Sequence, residues 1–206
     1  MPPDFPPPRA IAFVDGQNLY HAVRKAYGYT HPNYDISRLA QAVCDAQAWR
    51  LVQARFYTGV PDHGDNPFWL GFWTRKLLAM KRSGVNVYSR PLRYRTKRVE
   101  LPGGSVHTFL SGEEKGIDVR IAIDIIRLAH RNEYDIALVF SQDQDLSEAA
   151  AEIRVIAQEQ GRWIKIASGF PVSPSTRNHR GINRTDWIRI DRALYDTCID
   201  RRDYRP

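Results

Sequence analysis

The chain has 206 residues, of which 43% are hydrophobic and 26% are charged, a composition typical of one globular domain with a sizeable core. Lysine and arginine outnumber aspartate and glutamate by 30 to 23, and the resulting net charge of +7 favours anionic partners, nucleic acid first. No run of about 18 apolar residues is present, which argues against a membrane-spanning helix.

The cysteine pattern argues against two further classes of protein. Cys44 and Cys198 lie far apart, and no CxxC or HxxxH pattern occurs, so neither a zinc site nor a disulfide framework is expected. A reducing compartment suits such a chain, and we expect a cytoplasmic protein. Residues 1–9 are rich in proline and lack the apolar segment of a signal peptide, which predicts an extended or disordered tail.

The first half of the chain alternates between short apolar runs and helical patterns. Asp35 or Ser37 is placed to cap the second predicted helix, and Asn66 followed by Pro67 is placed to begin the third. Strands are predicted at 10–14, 50–58 and 85–89. The first helix is predicted at 18–26, the second runs from its cap at Asp35 or Ser37 to about residue 46, and the third spans 67–83.

The second half begins with a basic, turn-rich stretch at 90–112, which predicts a hairpin around Pro102, Gly103 and Gly104. Helices are predicted at 116–130 and 146–160, and strands at 136–140 and 163–167. The pattern at 186–198 is compatible with either a helix or a strand.

Alternating strands and helices predict an α/β fold, with a mainly parallel central sheet of about five strands and helices on both faces. We assign residues 1–9 to the tail and residues 10–168 to the domain. Residues 169–206 are expected to form a C-terminal extension packed on the same domain.

Four aspartates fall where functional groups of such sheets gather, beyond the carboxyl ends of the strands. Asp15 follows the first strand, Asp143 and Asp145 follow the strand at 136–140, and Asp118 stands near a helix start. Clustered carboxylates repel one another, and Mg²⁺ or Mn²⁺ would remove the conflict and activate a water for phosphodiester cleavage. Each aspartate taken alone is better explained as a turn former or a helix cap, whereas the joint placement of all four favours a shared site.

Asp124 belongs to a different pattern. Arg120 and Arg127 stand four residues before it and three after it, so an ion pair on the helix surface explains this carboxylate. We interpret Asp124 as mainly structural.

Three segments resemble the NYN domain, within the PIN-like nuclease superfamily and close to LabA-like proteins. They are FVDGQNL at 13–19, EKGIDVRIAID at 114–124 and LVFSQDQDL at 138–146, in the family's order, within a resemblance that covers residues 10–168. The resemblance implies a three-layer α/β/α fold and a metal-dependent (endo)ribonuclease. Its implied catalytic residues and ligands of Mg²⁺ or Mn²⁺ are Asp15, Asp118, Asp143 and Asp145.

The same resemblance matches Asn18 to the polar position after the first acid and Ser141 to the small hydroxyl residue before the acidic loop. We expect both to bind substrate. One departure stands out: Gln142 occupies the place of the family's usual glycine, and Leu146 replaces an aromatic residue.

RNA is the expected partner, and the stretch SRPLRYRTKR at 89–98 supplies cations for its phosphates. Tyr94 within this stretch could stack on an unpaired base, whereas a solvated hairpin is the plain alternative. A second basic group at 177–184 could line the same cleft, and the aromatic residues at 69–73 suggest a core or the interface of a homodimer. The expected RNA-binding cations are Arg93, Arg95, Lys97 and Arg98.

Other functions are alternatives to a nuclease. A Toprim-like phosphotransfer enzyme would place a glutamate where Asp15 stands, and a haloacid-dehalogenase-like phosphatase would have an acid in place of Gln17. A Rossmann domain would need a GxGxxG fingerprint, which is missing after the first strand. A non-catalytic RNA- or protein-binding module of the PIN-like fold is the non-enzymatic alternative.

Overall fold

The computed structural model describes residues 6–100 and 104–206. None of the helices in these two stretches is long and apolar enough to cross a membrane. The elements are β1 (Arg9–Asp15), α1 (Gly16–Tyr27), α2 (Ile36–Ala46), β2 (Arg50–Val60), α3 (Pro67–Arg82), β3 (Asn86–Pro91), β4 (Arg93–Glu100), β5 (Val106–Glu113), α4 (Ile117–His130), β6 (Ile136–Phe140), α5 (Ser147–Glu159), β7 (Lys165–Pro171), β8 (Asp186–Ile190) and α6 (Arg192–Thr197). The predicted tail at 1–9 falls largely on residues 1–5, which lie outside the described residues.

Six parallel strands form the central sheet in the order β3-β2-β1-β6-β7-β8, which confirms the α/β class. The sheet has one strand more than the expected five. The additional strand, β8, comes from the segment whose pattern was ambiguous, and it pairs with β7 from Ala167↔Asp186 onwards. Asp191 then caps α6 by accepting a hydrogen bond of 2.8 Å from the Leu194 N–H, so this segment contains both a strand and a helix.

Two hydrophobic clusters on opposite faces of the sheet create three layers. Along β1, Ala10, Ala12 and Val14 pack with the first cluster, which includes residues of α1, α2 and α3. Ile11 and Phe13 point the other way, into the cluster formed with α4 and α5. This period-two alternation in a strand buried on both faces gives the predicted α/β/α arrangement.

Side-chain caps set the start of the helices on the first face. Asp35, not Ser37, caps α2 by accepting a hydrogen bond of 3.1 Å from the Arg38 N–H. Asn66 caps α3 in the same way, accepting from the Trp69 N–H at 3.1 Å, with proline at the first helical position. In α3, the aromatic side chains of Phe72 and Trp73 are buried in the core.

β4 and β5 form an antiparallel two-stranded ribbon outside the main sheet, which is the predicted hairpin. Within its predicted turn, Pro102 and Gly103 lie outside the described residues. The base of the ribbon is held by Tyr94, whose hydroxyl donates to Asp65 at 3.1 Å and accepts from the Asp62 N–H at 2.9 Å.

The C-terminal residues are held to α3 by a buried lysine. Lys76 is 0% exposed, and its Nζ donates to the Tyr34 carbonyl at 3.0 Å and approaches Asp200 at 3.4 Å. The same ammonium group lies 4.7 Å from the centre of the Tyr204 ring. This contact set ties the end of the chain to the first face of the sheet.

Asp124 is structural, but its surface placement was wrong. The side chain is 1% exposed, since two partners on β2 cover it in addition to the two expected arginines on its own helix. Arg55 lies 3.0 Å away and the Tyr57 hydroxyl donates at 2.9 Å, while Arg120 and Arg127 lie 2.8 and 3.0 Å away. Asp124 therefore places one negative charge among three arginines at the junction between α4 and the sheet.

Candidate active site

Asp15 sits at the point where the order of the strands reverses. It is the last residue of β1, which lies between β2 and β6, and such switch points form a crevice beyond the strand ends. Its side chain is 7% exposed and caps α1 by accepting a hydrogen bond of 3.0 Å from the Asn18 N–H. The carboxylate is thus fixed between a strand end and a helix start.

Gly16 follows Asp15 because no side chain fits there. A Cβ at this position would lie 2.6 Å from the Phe56 ring and 2.9 Å from the Tyr57 carbonyl oxygen. The absence of a side chain lets α1 begin directly at the end of β1, close against β2.

The loop after β6 brings a second carboxylate to the same place. The Ser141 hydroxyl donates to Asp15 Oδ2 at 3.3 Å and accepts from the Asp143 N–H at 3.1 Å. Asp143 in turn accepts from the Asp145 N–H at 3.1 Å. Ser141 is only 2% exposed, so in this arrangement its hydroxyl positions the two aspartates.

The predicted aspartates converge in part. One pocket, here called the acid pocket, is lined by three of them, and Asp145 is not among its lining residues although it adjoins Asp143 in the loop. Gly116, in the left-handed conformation with φ of 71°, precedes α4 and places Asp118 in the first turn of that helix. The carboxylates that line the acid pocket are Asp15, Glu114, Asp118 and Asp143.

Glu114 is a member of this site that the sequence reasoning missed. Its Oε1 accepts a hydrogen bond of 3.0 Å from the Gly59 N–H, whereas its buried Oε2 has no hydrogen-bond partner among the described residues. The sequence carried only a partial signal: Glu114 is an acid immediately after β5, much as Asp15 ends β1, but its position beside β2 depends on a long-range contact. An unpaired buried carboxylate oxygen is costly unless a cation or proton satisfies it.

Burial, and then the crowding of the carboxylates, raises their proton affinity. Burial, together with the charges of Asp143 and Asp118, raises the pKa of Asp15 to about 6, against the opposing hydrogen bond from the Asn18 N–H. Burial, together with the charges of Asp15 and Asp118, raises the pKa of Glu114 to about 8. Both shifts indicate negative charge that the protein alone leaves poorly compensated.

The donor set fits a hard divalent cation, since carboxylate oxygens are the ligands that Mg²⁺ and Mn²⁺ prefer, and the unpaired Oε2 of Glu114 supplies an open ligand position. Within residues 6–100 and 104–206, however, no three acidic, histidine or cysteine side chains already form a metal-binding group. The carboxylates share a pocket without being drawn together around a common point.

One cation of the second basic group, Arg177, lies beside the acid pocket. A neighbouring cavity is lined by Arg177 and Lys25, and it shares Asn18 and His21 with the acid pocket. Asn18 also fixes the acidic loop, because its Oδ1 accepts a hydrogen bond of 2.9 Å from the Gln142 N–H.

Gln142, the departure from the family pattern, has a structural role. Its side chain donates to the Arg180 carbonyl at 2.7 Å, and Gln144 donates to the Gly181 carbonyl at 3.0 Å. Gln144 also accepts from the Asn183 N–H at 3.1 Å. The two glutamines of the acidic loop therefore hold the segment that carries the second basic group.

The predicted RNA-binding cations lie on the ribbon and do not line the acid pocket. Their side chains are exposed along β4, where Lys97 forms an ion pair of 3.0 Å with Glu113. They are Arg93, Arg95, Lys97 and Arg98.

Comparison with known proteins places this geometry in a family. The model of the NYN domain matches residues 9–172. No curated protein matches the chain in sequence. A crystal structure of a protein of unknown function from Vibrio parahaemolyticus is similar in fold, with a TM-score of 0.53 and 22% identity over 93% of this chain and 98% of that one. Because the family match spans most of the sequence, the protein belongs to the NYN domain family, a PIN-like family of nuclease type.

Proposed function

We propose that the protein is a metal-dependent ribonuclease that hydrolyses RNA phosphodiester bonds at the acid pocket. The observation that carries this proposal is the set of four carboxylates on one pocket at the strand switch point, one of them with an unpaired buried oxygen. Membership of a nuclease-type family supports it.

The proposed ligands of Mg²⁺ or Mn²⁺ are Asp15, Asp118 and Asp143, with Asp145 beside them in the loop and Glu114 contributing its unpaired oxygen. When bound, such an ion activates water and offsets the charge that develops on the phosphate. The protein prepares this site by holding Asp15 and Asp143 in place through Ser141.

Neutral and cationic side chains must contact the RNA substrate, because the carboxylates themselves repel a polyanion. We assign the amide NH₂ of Asn18, at the wall of the acid pocket, to a phosphate oxygen. The predicted substrate contact of Ser141 stays a prediction. Affinity for the RNA backbone is assigned to the ribbon residues Arg93, Arg95, Lys97 and Arg98, together with the cations of the neighbouring cavity, Lys25 and Arg177.

For the compartment we propose the cytoplasm, which is supported by the two free, buried cysteines, Cys44 and Cys198. A homodimer stays a prediction.

Cleavage of end-labelled single-stranded RNA tests the proposal. We expect cleavage with Mg²⁺ or Mn²⁺, none with EDTA, and none by Asp143→Asn prepared in parallel. Glu152→Gln is the matched control, since it removes an exposed carboxylate on α5 that does not line the acid pocket. Metal-independent binding without cleavage by the wild-type protein would instead identify a non-catalytic RNA-binding module.

A further inference from the structure

The two faces of the ribbon differ in chemistry, and the strand register decides which residues share a face. Residues directly opposite each other in an antiparallel pair point to the same side, and successive residues alternate. Tyr94, Thr96 and Arg98 lie on one side with Gly112, Leu110 and Thr108 opposite them. The other side, here called the basic face, carries Arg93, Arg95 and Lys97 together with His107 and Phe109.

An aromatic pair stands among the cations of the basic face. The rings of His107 and Phe109 are stacked, with centroids 5.9 Å apart and planes 24° apart. Phe109 is 40% exposed and lies opposite Lys97 in the register. A two-stranded ribbon has no second layer to cover this ring, so the ring offers its surface to a ligand.

The basic face leads toward the acid pocket. Glu113 lies at the end of this face, 3.0 Å from the Lys97 ammonium and 3.6 Å from that of Lys115. Lys115 lines the acid pocket. On the opposite face, Tyr94 is bonded to the 62–65 loop, so that side of the ribbon's base is turned toward the body of the protein.

We propose that the basic face binds single-stranded RNA and guides it toward the acid pocket, an inference that rests on the proposed function. Arg93, Arg95 and Lys97 hold phosphates, and the ring pair stacks on unpaired bases. Three cations against one glutamate make the face complementary to a polyanion. Bases inside a duplex are already stacked, so only an unpaired strand can use the aromatic pair.

The test is binding without divalent ions, in EDTA, measured by fluorescence anisotropy. The probes are a labelled single-stranded RNA of mixed sequence and a hairpin of the same length that is paired throughout its stem. Phe109→Ala should weaken binding of the single strand by about ten-fold, since stacking on one aromatic ring is worth roughly that factor, and should change hairpin binding by less than about two-fold. Leu110→Ala is the matched control: it alters the adjacent residue, 61% exposed, on the other face.

His107→Ala is the second variant and should shift single-strand binding in the same direction. Unchanged binding by Phe109→Ala and His107→Ala, an equal loss with Leu110→Ala, or an equal loss for the hairpin would overturn the proposal. So would sedimentation showing that Phe109→Ala converts a dimer into monomers, because the face would then be a contact between copies of this chain.

Cleavage assays with Mn²⁺ on the same preparations separate the two proposals. If the wild-type protein cuts RNA while Phe109→Ala binds RNA normally, the proposed RNA-binding role of the basic face is wrong and the proposed nuclease activity is supported. If the wild-type protein prefers single strands through Phe109 but cuts no RNA, the proposed nuclease activity is wrong and the proposed RNA-binding role of the basic face is supported.

Discussion

Glu114 is bonded to Gly59 through a hydrogen bond of 3.0 Å, in which the Gly59 backbone N–H donates to Oε1 of the carboxylate. This contact fastens the end of the ribbon to the carboxyl end of β2, one strand away from Asp15. It also fixes where the second oxygen, Oε2, is buried without a partner among the described residues. The side chain of Glu114 therefore links the ribbon to the acid pocket.

The first prediction concerns the stability of the metal-free protein against pH. The pKa of Asp15 is raised to about 6 and that of Glu114 to about 8, so between about pH 4.5 and 8 these two groups bind more protons in the folded state than in the unfolded state. Their contribution to the free energy of unfolding should therefore fall as pH rises through this window. The slope is at most about 1.4 kcal/mol per pH unit for each group.

Glu114→Gln should flatten this decline and make the metal-free protein more stable than wild type at pH 8. Urea unfolding in EDTA at several pH values measures the difference between the two proteins, and the titrating groups that do not interact with Glu114 cancel in that difference. Parallel curves for wild type and variant would show that Glu114 ionises as freely in the folded protein as in the unfolded chain.

The second prediction is that Asp143→Asn abolishes cleavage and preserves the fold. The amide keeps the shape of the side chain and removes the charge that helps to raise the pKa of Asp15, so the metal-free variant should be at least as stable as wild type. Cleavage should fall by about 100-fold or more, because a proposed metal ligand is lost. The increase in melting temperature that Mn²⁺ gives the wild-type protein should shrink in the variant.

Thermal unfolding with and without Mn²⁺, beside the cleavage assay, checks both parts. Cleavage at the wild-type rate would remove Asp143 from the site. If Mn²⁺ raised the melting temperature of the two proteins equally, the ion would bind at a site that does not include Asp143.

Much of the site follows from strand positions that a sequence can reveal. The run at 136–140 is apolar throughout, which predicts an interior strand, and the acids after it emerge at the same edge as Asp15 because the two strands run parallel. Glu114 was missed because its placement depends on a ribbon folding back onto β2, a contact between residues 55 positions apart.

Two other features were decided by long-range contacts. Asp124 was expected on the helix surface because its neighbours at helical spacing already explain its charge, whereas Arg55 and Tyr57 reach it from another strand. In the 186–198 segment, local pattern could not choose between strand and helix, and pairing with the free edge of β7 made residues 186–190 a strand.

The third prediction tests the structural role of Asp124. Asp124→Asn removes the negative charge that compensates Arg55, whose side chain is 15% exposed, and two further arginines on α4. Loss of one partner from such a buried junction should lower the free energy of unfolding by about 3 kcal/mol. Burial opposes ionisation of Asp124, but hydrogen bonds and the charge of Arg55 lower its pKa overall.

Because the pKa of Asp124 is lowered in the folded protein, its contribution is present above the unfolded value and is lost as pH falls. The stability gap between wild type and Asp124→Asn should therefore narrow in acid. Asp196→Asn is the control: it breaks an exposed pair with Arg192 and should cost at most about 1 kcal/mol. Urea titrations measure the free energy of unfolding of both variants. An equal loss in the two would mean that burial does not strengthen the contribution of Asp124 to stability.

The last prediction concerns the salt dependence of RNA binding. Each phosphate neutralised by a lysine or arginine releases counterions, so the logarithm of affinity falls with the logarithm of salt concentration by about 0.7 per contact on a single strand. Arg93 and Arg95 are exposed on the basic face. Replacing both with alanine should weaken binding across RNA sequences and flatten the salt slope by about one to two units.

Turnover at saturating RNA should change much less in the Arg93→Ala, Arg95→Ala double variant, because contacts to distant phosphates bind the ground state and the transition state alike. A matched double variant, Arg38→Ala with Arg131→Ala, removes the same charge from exposed positions outside the ribbon and the acid pocket. Measuring RNA affinity from low to moderate salt for both double variants shows whether the ribbon arginines matter by their position or only by their charge. If both double variants flatten the slope equally, net charge alone attracts the RNA. If neither does, the ribbon is a solvated hairpin and the RNA path follows the cavity of Lys25 and Arg177.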